Sequence, residues 1–141
     1  MPVAKESIKS ERPIKIGVVG CGQMGRKHAI NCGQVNGVKV IAVADTDMAR
    51  SRALAKEISA VPYRNVKALL SDSDIDALIV ATPPNDHGRD ALAAIEAGKA
   101  VLVEKPIALD IKTAKSMCRA ANMVSVVNAV GFHLRYAPLT Q

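Results

Sequence analysis

Three glycines in the string Gly20-Cys21-Gly22-Gln23-Met24-Gly25 have the G-x-G-x-x-G spacing that lets a backbone cradle a diphosphate. A run dominated by Ile and Val (Ile14–Val19) precedes them, and a helical pattern follows from about Gln23. Asp45 stands twenty residues beyond Gly25, at the end of a second apolar run. In that setting each residue has a physical task. Gly20 permits a tight strand-to-helix turn, Gly22 lets the backbone approach a pyrophosphate, and Gly25 lets the helix pack closely on a sheet. Gln23 and Met24 open the helix, whose N-terminus offers unpaired N–H groups and roughly half a positive charge to phosphate oxygens. Asp45 would accept hydrogen bonds from both hydroxyls of an adenosine ribose and repel a 2′-phosphate, which favours NAD over NADP. Arg50 and Arg52 are near enough in sequence to soften that preference, and Asp47 reinforces it.

The elements that must hold these residues are legible in the hydrophobic pattern. Apolar, β-rich runs at 14–19, 38–44, 60–63, 77–81, 100–103 and 125–130 predict six strands. Helical patterns lie between them at 23–32, 48–58, 66–70, 88–97 and 109–122. Gly98 sits where the fourth helix needs a left-handed residue to end. In the last helix the spacing puts Ile111, Ala114, Cys118 and Ala121 on one face, with Lys112, Lys115 and Arg119 opposite. Continuous apolar strands separated by helices mean a parallel sheet buried on both faces, so the fold class is α/β: a doubly wound, Rossmann-type sheet of six strands. The expected organisation is a flexible lead-in over 1–13, a nucleotide-binding domain over 14–131 and an exit segment over 132–141.

Composition removes several alternatives. The chain has 141 residues, with 19 basic against 13 acidic side chains and a net charge of +6. The surplus sits at the two ends while the centre is balanced, which is a poor footprint for nucleic acid. The aromatics are Tyr63, Phe132 and Tyr136, too few for a base-stacking platform. Three cysteines without CxxC spacing suggest reduced thiols, and with no readable signal peptide or membrane span the expected location is the cytoplasm. His28 and Cys32 lie four apart on a helix, but no second half of a metal site is visible.

At this point the chain resembles, from Ile14 to its end, the N-terminal half of the glucose–fructose oxidoreductase/inositol dehydrogenase (Gfo/Idh/MocA) family. The matching strings are KIGVVGCGQMGRKHA, AVADTD, DIDALIVATPPNDHGRDALAAIEAGKAVLVEKPIAL and VGFHLRYAP, and the Glu104-Lys105-Pro106 triplet is the most diagnostic. The resemblance implies that Thr82, Pro83 and Asn85 line the groove for the nicotinamide half of the cofactor. It places His87 near the cofactor, where a helix-start histidine holding the loop is an equal alternative. Glu104 would hold the nicotinamide ribose or orient its neighbour. Lys105 would reach the substrate hydroxyl or carbonyl as the catalytic group, since a cation there stabilises the charge developing on oxygen. A cis Lys105–Pro106 bond fits this triplet because X–Pro disfavours cis by only about 0.5–1 kcal/mol.

Enzymes of the family continue into a second α/β domain that carries the substrate wall and a histidine partner for the lysine. His28, His87 and His133 do not match that histidine, so residues 1–141 read as a cofactor-binding half. A second domain or another subunit would complete it. The leading function is hydride transfer between NAD(P) and a sugar, polyol or related cyclic hydroxy compound. The alternatives are a non-catalytic NAD-binding regulatory module, and a lyase or glycosidase that recycles NAD.

Overall fold

The apolar runs pair into a single sheet because each can bury both of its faces. A computed structural model describes residues 12–136. Its strands are β1 (Ile14–Val19), β2 (Val38–Ala44), β3 (Val61–Tyr63), β4 (Ala77–Val80), β5 (Ala100–Val103) and β6 (Asn128–Val130). All pair in parallel, in the order β3-β2-β1-β4-β5-β6. Helices α1 (Gln23–Cys32), α2 (Met48–Ile58), α3 (Val66–Asp72), α4 (His87–Glu96) and α5 (Ile111–Val124) connect them. A single 3-10 turn (His133–Tyr136) follows β6.

Pleating divides the strand side chains between two cores. Val18, Val43 and Ile79 meet Ala29 of α1 and Leu54 and Ala55 of α2 on one face. Val19, Leu78 and Val80 meet Leu69 of α3, Ala91 and Ile95 of α4, and Met117 and Ala121 of α5 on the other. The strand order turns back between β1 and β4, whose ends are in register at Val19 and Val80. A doubly wound sheet opens its ligand crevice outside the carboxyl ends of such a strand pair. The loop after β1 carries the glycines, and the loop after β4 carries Thr82.

Helix α5 departs from the expected helix in bounds and in facing. It runs Ile111–Val124, begun by Asp110, whose carboxylate accepts from the Thr113 N–H, and ended by Ser125 in the left-handed region. Ile111 is 73% exposed and Cys118 is also exposed, while Met117 and Ala121 form the buried stripe. The neighbour that sets this facing is α4: a Cβ on its Gly88 would collide with the Thr113 methyl, so the two helices touch there. The two-residue shift of α5 towards the C-terminus leaves β6 only three residues rather than the six expected.

Gly98 takes the expected positive φ (+69°) past the end of α4. The expected flexible lead-in falls mostly on residues 1–11, which lie outside the described residues, as do 137–141 of the exit segment. Arg12, by contrast, is anchored: its guanidinium donates to both Asp76 oxygens at 2.8 and 2.7 Å.

Candidate cofactor and catalytic site

The turn after β1 is built as its glycines require. Gly20 has φ +89°, and a Cβ on it would come within 2.5 Å of the Ala81 carbonyl group at the end of β4. A Cβ on Gly25 would fall on the Gly20 carbonyl oxygen, so only a bare Cα lets α1 start this close to the turn. A Cβ on Gly22 would meet nothing within 4 Å. The absence of a side chain at Gly22 is thus not demanded by the chain's own packing; it leaves open space beside the first turn of α1. That turn has no side-chain cap, whereas Asp47, Asn65 and Asp110 cap α2, α3 and α5. Its amide groups remain available to an outside acceptor. Gln23 and Met24 are exposed on this first turn, Met24 to 39%.

Asp45, at the end of β2, is 8% exposed and braces the turn. Its Oδ2 accepts from the Cys21 N–H at 2.8 Å, and its Oδ1 accepts from the Asp47 N–H at 2.8 Å. Each oxygen keeps a further lone pair for a hydroxyl donor. Asp47, not Asp45, caps α2, and it also accepts from the Arg50 guanidinium at 3.1 Å. Arg50 holds the Asp47 carboxyl below the usual carboxylate range through that hydrogen bond. Burial, with the charge of Asp45 adding to it, pushes the Cys21 thiol up to about 12.

Two hollows flank the glycine turn. One, of about 360 Å³, is lined by Gly20, Asp45, Arg50, Thr82, Pro83 and Asp90, among others. The other, of about 280 Å³, is lined by Met24, Thr82, His87, Glu104, Lys105 and His133, among others. Thr82 separates them, and its hydroxyl donates to Oδ2 of the buried Asp90 at 3.0 Å. A long molecule with an anionic middle could lie across the turn with one end in each hollow. Asn85 is exposed on the same loop and is not among the residues lining either hollow.

The second hollow holds the Glu104-Lys105-Pro106 segment. Lys105 is exposed, and the Lys105–Pro106 bond is cis. Glu104 is 7% exposed and has both oxygens engaged. Its Oε2 accepts from the Lys105 N–H at 3.2 Å, and its Oε1 accepts from His28 Nε2 at 2.6 Å. Of the two roles open to Glu104 from sequence, this geometry favours orienting its neighbour. His87 is 1% exposed, with Nδ1 2.8 Å from the Pro106 carbonyl oxygen and Nε2 2.7 Å from that of Thr82. Both neighbours are carbonyl oxygens, so whichever ring nitrogen carries the proton donates to a backbone carbonyl. Of the two roles open to His87, the geometry favours holding the loop.

His28 and Asp90 were not singled out as site residues by the sequence. His28 lies one helical turn past Met24, on the helix that starts in the glycine loop, and that i, i+4 spacing was the available signal. Asp90 lies in the first turn of α4, where a buried carboxylate is bonded by Thr82 and Arg89. The described residues contain no group of three or more His, Cys, Asp or Glu arranged to hold a metal ion, and no helix among them is long and apolar enough to cross a membrane.

Comparison with known proteins agrees with this geometry. The model of a family described as an oxidoreductase family with an NAD-binding Rossmann fold matches residues 14–132. The scyllo-inositol 2-dehydrogenase (NAD(+)) of Bacillus subtilis is 34% identical over 134 residues, which is 91% of this chain and 38% of the relative. Inositol 2-dehydrogenase 1 of Saccharopolyspora erythraea is 43% identical over 98 residues, 67% of this chain and 29% of the relative. The crystal structure of the WlbA dehydrogenase of Bordetella pertussis, in complex with NADH and UDP-GlcNAcA, superposes with a TM-score of 0.86 at 28% identity. It covers 92% of this chain and 40% of that one. The chain therefore spans well under half the length of the relatives it matches.

Proposed function

Because the chain belongs to the Gfo/Idh/MocA oxidoreductase family and carries its NAD-binding Rossmann domain, we propose that it serves hydride transfer between NAD and a cyclic polyol or sugar, with Lys105 as the catalytic residue. The observation that carries this reading is the pairing of the two hollows around one bare glycine turn, with Asp45 in the first and Lys105 in the second. Gly20, Gly22, Gln23, Met24 and Gly25 would hold the diphosphate, Asp45 the adenosine ribose, and Thr82, which lines both hollows, the nicotinamide side. Pro83 lines the Asp45 hollow and Asn85 neither, so the geometry gives those two no nicotinamide contact. Asp45 is a full negative charge facing a hollow, so a 2′-phosphate is disfavoured and NAD is the preferred dinucleotide.

The residues present fit that cofactor. Open space at Gly22, an uncapped α1 N-terminus and a ribose-facing carboxylate are what a dinucleotide requires. When bound, NAD supplies the acceptor or donor of hydride at its nicotinamide ring. The chain's own part is then electrostatic and protonic. Lys105 would hold the substrate oxygen by its Nζ and take or return the hydroxyl proton as the carbon–hydrogen bond breaks or forms. Glu104 and His87 fix the backbone on either side of it.

We assign the substrate wall to a following second domain or to another subunit. A groove of about 410 Å³ supports this: it is lined by Met24, Leu102, Val130 and Phe132, and Phe132 is 49% exposed. We place the protein in the cytoplasm, where its free cysteines would stay reduced. The test is nicotinamide reduction with a panel of inositols and pyranose sugars by the chain together with the domain or subunit that supplies the substrate wall, alongside the same assembly carrying Lys105→Ala. Turnover with at least one of them, falling by about 10²–10⁴ in the variant, is expected. Undiminished turnover without Lys105 would overturn the assignment.

A further inference from the structure

The Lys105 backbone is gripped from both sides by histidines that belong to the helices of the two cofactor-facing loops. On one flank, His28 of α1 donates to Glu104 Oε1 at 2.6 Å, and the other oxygen of that carboxylate accepts from the Lys105 N–H at 3.2 Å. On the other flank, His87 of α4 bonds the Pro106 carbonyl at 2.8 Å. The two grips differ in their exposure. His87 is 1% exposed and also ties Thr82, so it belongs to the packing of α4. The His28 side chain is 22% exposed and makes its contact across 76 residues of sequence, from the turn of helix that begins at Gly22.

We propose that His28 is a positioning residue: it locks the Glu104 carboxylate so that Glu104 in turn fixes Lys105, making the placement of the lysine depend on the helix that cradles the diphosphate. The proposal deepens the reading above and rests on Lys105 being the group that meets substrate. Three observations support it. Glu104 is 7% exposed, so its carboxylate relies on protein donors. Glu104 lies against the bare Cα of Gly131, where a Cβ would stand 3.1 Å from Oε1 and crowd the carboxylate. The N–H of Lys105 turns to that carboxylate rather than to a strand partner, because β5 ends at Val103. A carboxylate held at one oxygen offers its second oxygen in a fixed direction; released, it can rotate and let the amide go.

The test uses the 141-residue chain, free and saturated with NAD, with hydrogen exchange read at single amides by NMR. In His28→Ala, the Lys105 amide is expected to exchange at least tenfold faster. The Cys21 amide, held by Asp45, should exchange within twofold of the parent, and NAD affinity should also stay within twofold. His28→Gln, which keeps a donor at the end of its side chain, should restore Lys105 protection to within threefold. Unchanged Lys105 exchange in His28→Ala overturns the proposal, and so does equal acceleration at Cys21, which would mark a general loosening of α1. Failure of the parent chain to bind NAD would overturn the cofactor reading, while the exchange comparison in the free chain would still decide the part played by His28.

Discussion

A side chain on Gly25 would occupy the position of the Gly20 carbonyl oxygen, whereas a side chain on Gly22 would touch no other part of the chain. Gly25 is therefore required by the fold, whereas Gly22 only leaves open the space proposed for the ligand. Gly25→Ala should destabilise the protein by about 2–3 kcal/mol or more, the usual cost of forcing a core contact apart. Gly22→Ala should leave the melting temperature within a few degrees of the parent yet weaken NAD at least tenfold. Thermal melts and calorimetric titrations on both variants check this. Equal effects of the two on stability would contradict it.

Asp45 lines the first hollow while its two oxygens hold the Cys21 and Asp47 amides. Asp45→Ala should weaken NAD by about tenfold or more, the scale of one hydrogen bond to a charged group. NADP should lose less, because the like charge that opposed its 2′-phosphate is gone. Arg50, already beside Asp45, would then face that phosphate. The NAD-to-NADP affinity ratio, by titration calorimetry, is the measurement. An unchanged ratio would remove Asp45 from the specificity account.

Much of this site was readable because its signals are local. The glycine turn, Asp45 and the strand runs are encoded within a few residues of one another, where backbone sterics and burial leave few alternatives. The link from His28 to Glu104 was not readable, because it joins positions 76 apart whose meeting depends on α1 lying across the sheet toward β5. The facing of α5 differs from its periodicity for a related reason. Periodicity fixes which residues share a stripe only to within one helical position, and the contact of Gly88 with Thr113 decided which one turned inward. The shortened β6 follows from Ser125 ending α5 later than the apolar pattern implied.

Asp76 ties the entry of β1 to β4. It accepts from Arg12 and from the Lys15 N–H at 2.8 Å, and its own N–H donates to the Lys15 carbonyl at 2.7 Å. The Arg12 bonds hold its carboxyl well below the usual carboxylate range. A carboxylate depressed on folding contributes stability that is fully present above its unfolded pKa of about 3.9 and is lost as pH falls through the folded value. Asp76→Asn should therefore cost about 1–2 kcal/mol at neutral pH, and the gap to the parent should shrink steadily below about pH 4. Urea denaturation of both proteins across that range checks the sign. A gap that widened with acid would refute it.

The three thiols should differ sharply in reactivity. Cys118 is exposed, the Cys32 thiol is raised by burial, and Cys21 is buried in the glycine turn with its thiol pushed up to about 12. Cys21 is held as the thiol and shielded by burial, so at pH 8 a disulfide-exchange reagent should label Cys118 first and Cys21 only after unfolding. Peptide mapping of the labelled protein tests this ordering. Early labelling of Cys21 would mean that the turn is not closed by Asp45 as described.

NAD is expected to lie across the turn after β1, its two halves in the two hollows. A crystal structure of the chain grown with saturating NAD tests this most directly. Density for the diphosphate should lie against the amides of the first turn of α1, with the adenosine ribose on Asp45 and the nicotinamide on the Lys105 side. A dinucleotide bound anywhere else, or an empty turn at saturating NAD, would contradict the account.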